Sequence, residues 1–217
     1  MGSITRSFAN NIGTSGILKA GAFNNASLDN VTAVNNAVAT GGMKLISSQT
    51  ASNSASISFT TGIDSTYKEY QFYFIDIHPR TDDVAFTFNL STDGGSNYNI
   101  TKTTTKFYAY HFENDSATEL TYQSNQDLAQ STAFQPLADR IGNGADESTS
   151  GYLTLFNPSS TVFVKHFISS ANEYNQADVS VNSFTAGYGN TTSAINAVQF
   201  KMSSGNFDGT ILMYGIK

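Results

Sequence analysis

Between Ala194 and Lys217 two apolar runs flank a polar turn, and any fold for this chain has to bury both of them. In the first run Val198, Phe200 and Met202 alternate with Gln199 and Lys201. That is the period-two signature of a strand with one buried face. The second run, Thr210 to Ile216, is apolar on both faces, as in a strand covered from two sides. The seven residues between them, Ser203-Ser204-Gly205-Asn206-Phe207-Asp208-Gly209, include two glycines able to take positive φ. The pattern predicts a closing β-hairpin. It also predicts that one face of Ile211–Ile216, with Met213, lies in a core. The opposite face, with Leu212, should lie under a loop or a neighbouring subunit.

The same alternation recurs upstream. Met43–Gln49 and Ser54–Thr60 read as strands, with Ala55, Ile57 and Phe59 inward in the second. Glu69–Ile77 is the longest apolar run and is expected to be central. Val84, Phe86, Phe88 and Leu90 alternate with small and polar residues, the pattern of a half-buried strand. In Lys102–Phe112 one face carries Phe107, Ala109 and His111, and the other Tyr108, Tyr110 and Phe112. The half-buried tyrosines Tyr70, Tyr73, Tyr108 and Tyr110 are expected to hold their hydroxyls at a rim.

Glu113–Ser150 is irregular and reads as long loops with one weak strand or short helix around Ala129–Ile141. Gly151–Phe156 and Thr161–Ser169 form a predicted hairpin across Asn157-Pro158-Ser159-Ser160. Val179–Tyr188 is a further strand. Nine to eleven strands without helical periodicity predict an all-β chain. The expected architecture is a jelly-roll-like antiparallel β-sandwich over residues 43–217.

Residues 1–42 differ in character. Ile4, Phe8, Ile12, Ile17, Leu18 and Phe23 are spaced too loosely among Gly and Asn to form a core. Leu28, Val31, Val34 and Val38 behind Ser27 fit a short helical stripe or an extended segment. Dispersed large apolar residues are depleted in disordered chains. This region therefore reads as an extended N-terminal arm that docks on another surface.

Charge narrows the partners. Charged residues make up 13% of the 217, and the formal net charge is −6. Eleven Lys and Arg, scattered along the chain, give no basic face for nucleic acid or for an anionic membrane. Neutral polar residues are easier to desolvate than ions, which suits surfaces that pack against neighbours. There is no cysteine, hence no disulfide, thiolate metal site or cysteine nucleophile. Met1–Ile12 has no apolar run, so no signal peptide is expected, and no window has the ~20 apolar residues of a membrane helix. Asn-x-Ser/Thr triplets at Asn25, Asn30, Asn89, Asn99, Asn114 and Asn190 follow from the Asn-, Ser- and Thr-rich composition.

No motif selects a reaction. His78, His111 and His166 lack zinc-ligand spacing. Asp82, Asp83, Asp93 and Asp115 are candidate calcium ligands, but their spacing matches no calcium loop. Asp146-Glu147 is a second loop pair, and nothing singles out two carboxylates for glycoside hydrolysis. Eleven Tyr without Trp give limited support to a sugar-binding platform. The expectation is a non-enzymatic protein with no catalytic, cofactor-binding or metal-binding residues.

Three stretches carry a family resemblance: Gln199 to Ile216, with its Gly205-Asn206-Phe207 turn and Tyr214-Gly215 ending, Ser54 to Tyr67, and Leu155 to Phe167. Together they resemble virion structural proteins of marine bacteriophages, especially those of cyanobacteria. The resemblance implies a jelly-roll-like sandwich and itself places the chain in a phage particle. The low charge and the arm point to capsid decoration, with attachment to the major capsid protein through the arm and homo-oligomeric contacts, and a trimer expected. The phage setting implies assembly in a bacterial cytoplasm, which agrees with the lack of cysteine. Two alternatives remain: a tail, fibre or tail-tip component, and a carbohydrate-binding module for host surface glycans.

Overall fold

The computed structural model describes residues 42–217, so the expected arm lies outside the described residues except for Gly42. Twelve strands follow in chain order: β1 (Met43–Ser54), β2 (Ile57–Phe59), β3 (Glu69–Pro79), β4 (Val84–Ser91), β5 (Lys102–Phe112), β6 (Thr118–Tyr122), β7 (Gln135–Ile141), β8 (Thr149–Phe156), β9 (Lys165–Asn175), β10 (Val179–Gly189), β11 (Ala197–Met202) and β12 (Phe207–Ile216). Among the described residues there is no helix.

Four antiparallel pairings nest inside one another: β1 with β12, β2 with β11, β3 with β8, and β4 with β7. A long ribbon folded back on itself and wrapped over two sheets produces this nesting, and it defines a jelly roll. One sheet runs β1-β12-β3-β8 and the other β2-β11-β4-β7. Two hairpins are inserted into this plan. β5–β6 follows β4, and β9–β10 follows β8. Both join the first sheet beyond β8, in the order β8-β9-β10-β5-β6. The first sheet therefore has eight strands and the second four. A bridge between Ile141 and Asn175 links them at one margin, and at another Gln49 Nε2 donates to the Ser58 carbonyl (2.8 Å).

The closing hairpin expected at the C-terminus is not formed. β11 pairs with β2 and β4, whereas β12 pairs with β1 and β3, so the turn between them crosses from one sheet to the other. Alternation and turn chemistry are the same for a strand that returns beside its predecessor and for one that crosses to the facing sheet. Side chains fix this corner. Asn206 Nδ2 donates to the Asn53 carbonyl (2.9 Å), and Asp208 accepts from the Asn53 amide (2.8 Å) and from Arg80 Nε (2.5 Å). Phe207 is fully buried between them. Gly209 has φ 131° beside a bulge at Asp76, and a Cβ there would come within 2.7 Å of the Asp76 carbonyl oxygen.

Other expectations shift by a few residues. The weak element near Ala129–Ile141 is the strand β7, and β6 is a short exposed strand that the pattern did not signal. β8 and β9 form the predicted hairpin, but their connection runs through residues 157–164 rather than four residues, with Val162 and Phe163 exposed at its tip. Tyr70 is fully buried rather than at a rim. Its hydroxyl accepts from the Asp64 amide (2.9 Å) and donates to the Asp64 carbonyl (3.0 Å).

Between the sheets the core is aromatic. Phe86 stacks on Phe200 at 5.7 Å, and Phe59, Phe72, Phe74, Phe88 and Phe207 meet them edge-on or tilted. Ile211 and Met213 of β12 enter this core, while Leu212 and Tyr214 point to the opposite face, as their alternation predicts.

Candidate functional site

Opposite the inserted strands lie β7, whose Asp139 amide reaches Glu173 (3.2 Å) and whose Pro136 carbonyl accepts from Thr185 (3.4 Å), and residues 123–134, a loop whose unpaired backbone groups need partners. The backbone of β5 supplies some. The amides of Gln123, Thr104 and Ser131 donate to the carbonyls of Lys106 (2.9 Å), Leu128 (2.9 Å) and Lys102 (3.0 Å), respectively. Polar side chains supply the rest, so this interior is a hydrogen-bonded seam. Thr104 Oγ1 accepts from the Leu128 amide (2.7 Å) and donates to Gln135 Oε1 (2.6 Å). Gln135 Nε2 donates to the carbonyls of Gln126 and Pro136, both at 2.9 Å. Lys106 Nζ donates to Gln126 Oε1 (2.5 Å), and Gln126 Nε2 donates to the Asp139 carboxylate. Glu173 Oε1 accepts from the Asp139 amide (3.2 Å) and from the Ser183 hydroxyl (3.1 Å).

Three lysines, Lys102, Lys106 and Lys165, are fully buried. Lys102 Nζ is held by Asn89 Oδ1 (2.5 Å) and the Ile100 carbonyl (2.8 Å), with no carboxylate among these partners. Burial accordingly takes its pKa down to about 7. Lys165 Nζ donates to the Phe163 carbonyl (2.6 Å), and burial lowers it as well. Burial also lowers Lys106, against the attraction of Glu173 and Asp139. It pushes Glu173 up to about 8, against the attraction of Lys106.

At the β5–β10–β9 end of the seam a pocket of ≈ 220 Å³ opens. Tyr108, Tyr110 and Phe112 of β5 form one wall, with ring centroids 6.0 and 5.7 Å apart in sequence order. Asp139 and Arg140 of β7, Glu173 and Asn175 of β9, and Val179 and Val181 of β10 complete it. Glu173 is 1% exposed, and its Oε2 has no hydrogen-bonding partner among the described residues. The structure thus brings two carboxylates, Asp139 and Glu173, to one cavity. Sequence reasoning selected neither, because β7 was read only as a weak strand or short helix and Glu173 lay beyond the predicted end of its strand.

The opposite face of the eight-stranded sheet is a second candidate. Strand register aligns Ser48, Leu212, Tyr73, Tyr152, Ser170, Phe184, Phe107 and Tyr122 in one row across all eight strands. A parallel row runs Leu45, Tyr214, Gln71, Thr154, Ile168, Ala186 and Thr105. Neither row contains a charged residue. Tyr73 packs against Tyr214 (5.7 Å) and Tyr152 (6.3 Å), and Phe107 stacks on Phe184 (5.0 Å). Ile168 is 50% exposed and Leu120, on the edge strand β6, 70%. A shallow apolar groove of ≈ 490 Å³ lies along Ile168, Ala186 and Tyr188.

The residues weighed from sequence do not converge. His78 Nδ1 lies 2.6 Å from the Glu147 carbonyl, His111 pairs with Asp115 (3.0 Å), and His166 sits edge-on to Tyr188. Asp82 accepts from the Asn143 amide, and Asp83 from Arg140 Nε (3.2 Å). Asp93 closes its own turn through Ser91 and Asn97, whose hydrogen bonds lower its pKa to about 2. Among the described residues no three His, Asp or Glu side chains are placed to hold a metal ion. Fold and surface together define an all-β jelly roll with two uncharged rows across one sheet face and a pocket lined by the carboxylates Asp139 and Glu173. No protein-family model, curated protein or solved structure matches the chain.

Proposed function

We propose that this chain is a non-enzymatic assembly subunit of a bacteriophage particle, a capsid decoration protein that associates with further copies of itself through the outer face of its eight-stranded sheet. Two uncharged rows of that face carry this reading. A solvated sheet face ordinarily bears charged residues, whereas these rows, across eight and seven strands, hold only apolar and neutral polar side chains. Aromatic enrichment with depletion of charge is the composition of an interface core. The virion setting rests on the resemblance of the Gln199–Ile216, Ser54–Tyr67 and Leu155–Phe167 stretches, and the jelly roll is an architecture that capsid proteins use. Residues 1–42 would tether the subunit to the major capsid protein, and a trimer is the expected oligomer.

Counting the chain in purified particles by quantitative mass spectrometry tests the proposal. Hundreds of copies support decoration, and a handful moves the protein to the tail. Its absence from particles overturns the reading. Removing residues 1–42 should abolish attachment without unfolding the sandwich, and normal attachment by the truncated chain would contradict the role given to the arm.

A further inference from the structure

We propose that the pocket between β5, β7, β9 and β10 binds a neutral polyhydroxylated ring, a single sugar residue, stacked on the Tyr108–Tyr110–Phe112 wall. The site lies on the inner side of the sheet, away from the proposed subunit interface, so it is independent of the assembly reading.

Two observations carry the proposal. The first is the orphaned oxygen: Glu173 is 1% exposed, lines the cavity, and leaves Oε2 without a partner among the described residues. A buried carboxyl oxygen with no hydrogen bond is costly unless something else satisfies it. The second is the composition of the wall. The β5 aromatics and Val179 and Val181 offer apolar surface to the C–H face of a ring, and the polar residues Asp139, Arg140, Glu173 and Asn175 line the same cavity.

Those polar groups decide the ligand class. Arg140 only donates, Asp139 accepts, and the Asn175 amide and the Glu173 carboxyl can do both when the latter holds its proton. Sugar hydroxyls also do both. A cationic ligand would meet Arg140, which Asp83 anchors at the rim through Nε (3.2 Å), and Lys106 behind Glu173. An anion would meet Asp139 and Glu173.

The test titrates the isotope-labelled full chain with methyl glycosides of glucose, galactose, mannose and N-acetylglucosamine, followed by amide chemical shifts. At least one glycoside should give saturable shifts confined to residues 108–112, 139–140 and 173–181. Tyr110→Ala, at a half-buried position that the core does not need, should weaken that binding by about tenfold. Glu173→Gln, which keeps the shape and removes the acid, should weaken it too. The proposal fails if no glycoside shifts these amides, or if Tyr110→Ala titrates like the parent chain. It also fails if tetramethylammonium, used as a cation probe, shifts them while the sugars do not.

Discussion

The two interiors of this protein are built from opposite materials. Under β1, β12, β3 and β8 the opposing sheet pairs its backbone within its own ladders, so side chains meet there, and they are mainly apolar: phenylalanines with Leu153, Leu155, Val198, Ile211 and Met213 among them. Under β9, β10 and β5 only β7 and the loop of residues 123–134 lie opposite, and the interior holds Lys102, Thr104, Lys106, Gln135, Glu173 and Ser183. The difference teaches that the partner layer dictates interior chemistry. A sheet facing a sheet can afford hydrocarbon, whereas a sheet facing a loop must provide donors and acceptors for backbone groups that the loop cannot pair itself.

Substitution should separate the two regions sharply. Among variants that still fold, the largest effect is expected for Phe200→Ala, which empties the centre of the aromatic stack and should cost about 3–5 kcal/mol by chemical denaturation. Met213→Asp, placing a charge in the same core, should prevent folding altogether, whereas Leu212→Asp one residue away should leave a folded chain. Equal tolerance of both aspartates would mean that β12 is not seated as described. In the seam, Lys102→Met removes a buried cation that has no carboxylate among its partners, and should change stability by no more than about 1 kcal/mol, in either direction. A loss as large as that of Phe200→Ala would erase the contrast between the two interiors.

The pH dependence of stability sharpens the comparison further. Glu173 rises from 4.5 to about 8 on folding, so the folded state holds the extra proton across that interval. Its contribution is fully present below pH 4.5 and is lost as pH rises to about 8. Lys102 falls from 10.5 to about 7, so the unfolded state holds the extra proton there, and stability grows as pH climbs through that range. The two limbs overlap at pH 7–8, where denaturation midpoints should pass through a minimum. Glu173→Gln should flatten the acid limb and Lys102→Met the alkaline limb. Phe200→Ala should lower the whole curve without changing its shape. The smallest effect is expected at the solvent-screened Arg80–Asp208 pair, where Arg80→Ala should leave the denaturation midpoint nearly unchanged.

Legibility in the sequence followed the same division. Val84–Leu90 announced its strand by alternation and Glu69–Ile77 by the length of its apolar run, and they form β4 and β3, although β4 is buried on both faces rather than half-buried. The jelly-roll class was readable from strand number and spacing. Which strands pair was not, because the corner at Gly205–Gly209 is fixed by long-range bonds from Asn206 and Asp208 to Asn53 and Arg80. The seam was invisible for a related reason. Lys102, Lys106 and Glu173 look like ordinary solvent-facing residues until the loop over them is placed. The uncharged outer rows were likewise hidden, since each strand contributes one or two neutral residues and only register assembles them into a surface.

Sedimentation velocity of the full chain beside an Ile168→Asp variant tests the central claim most directly, because Ile168 is half exposed in the middle of that outer face and contributes little to the core. The account predicts a discrete oligomer, expected as a trimer, for the natural chain, and a monomer of unchanged thermal midpoint for the variant. A natural chain that stays monomeric at every concentration, or a variant that associates equally well, would contradict it.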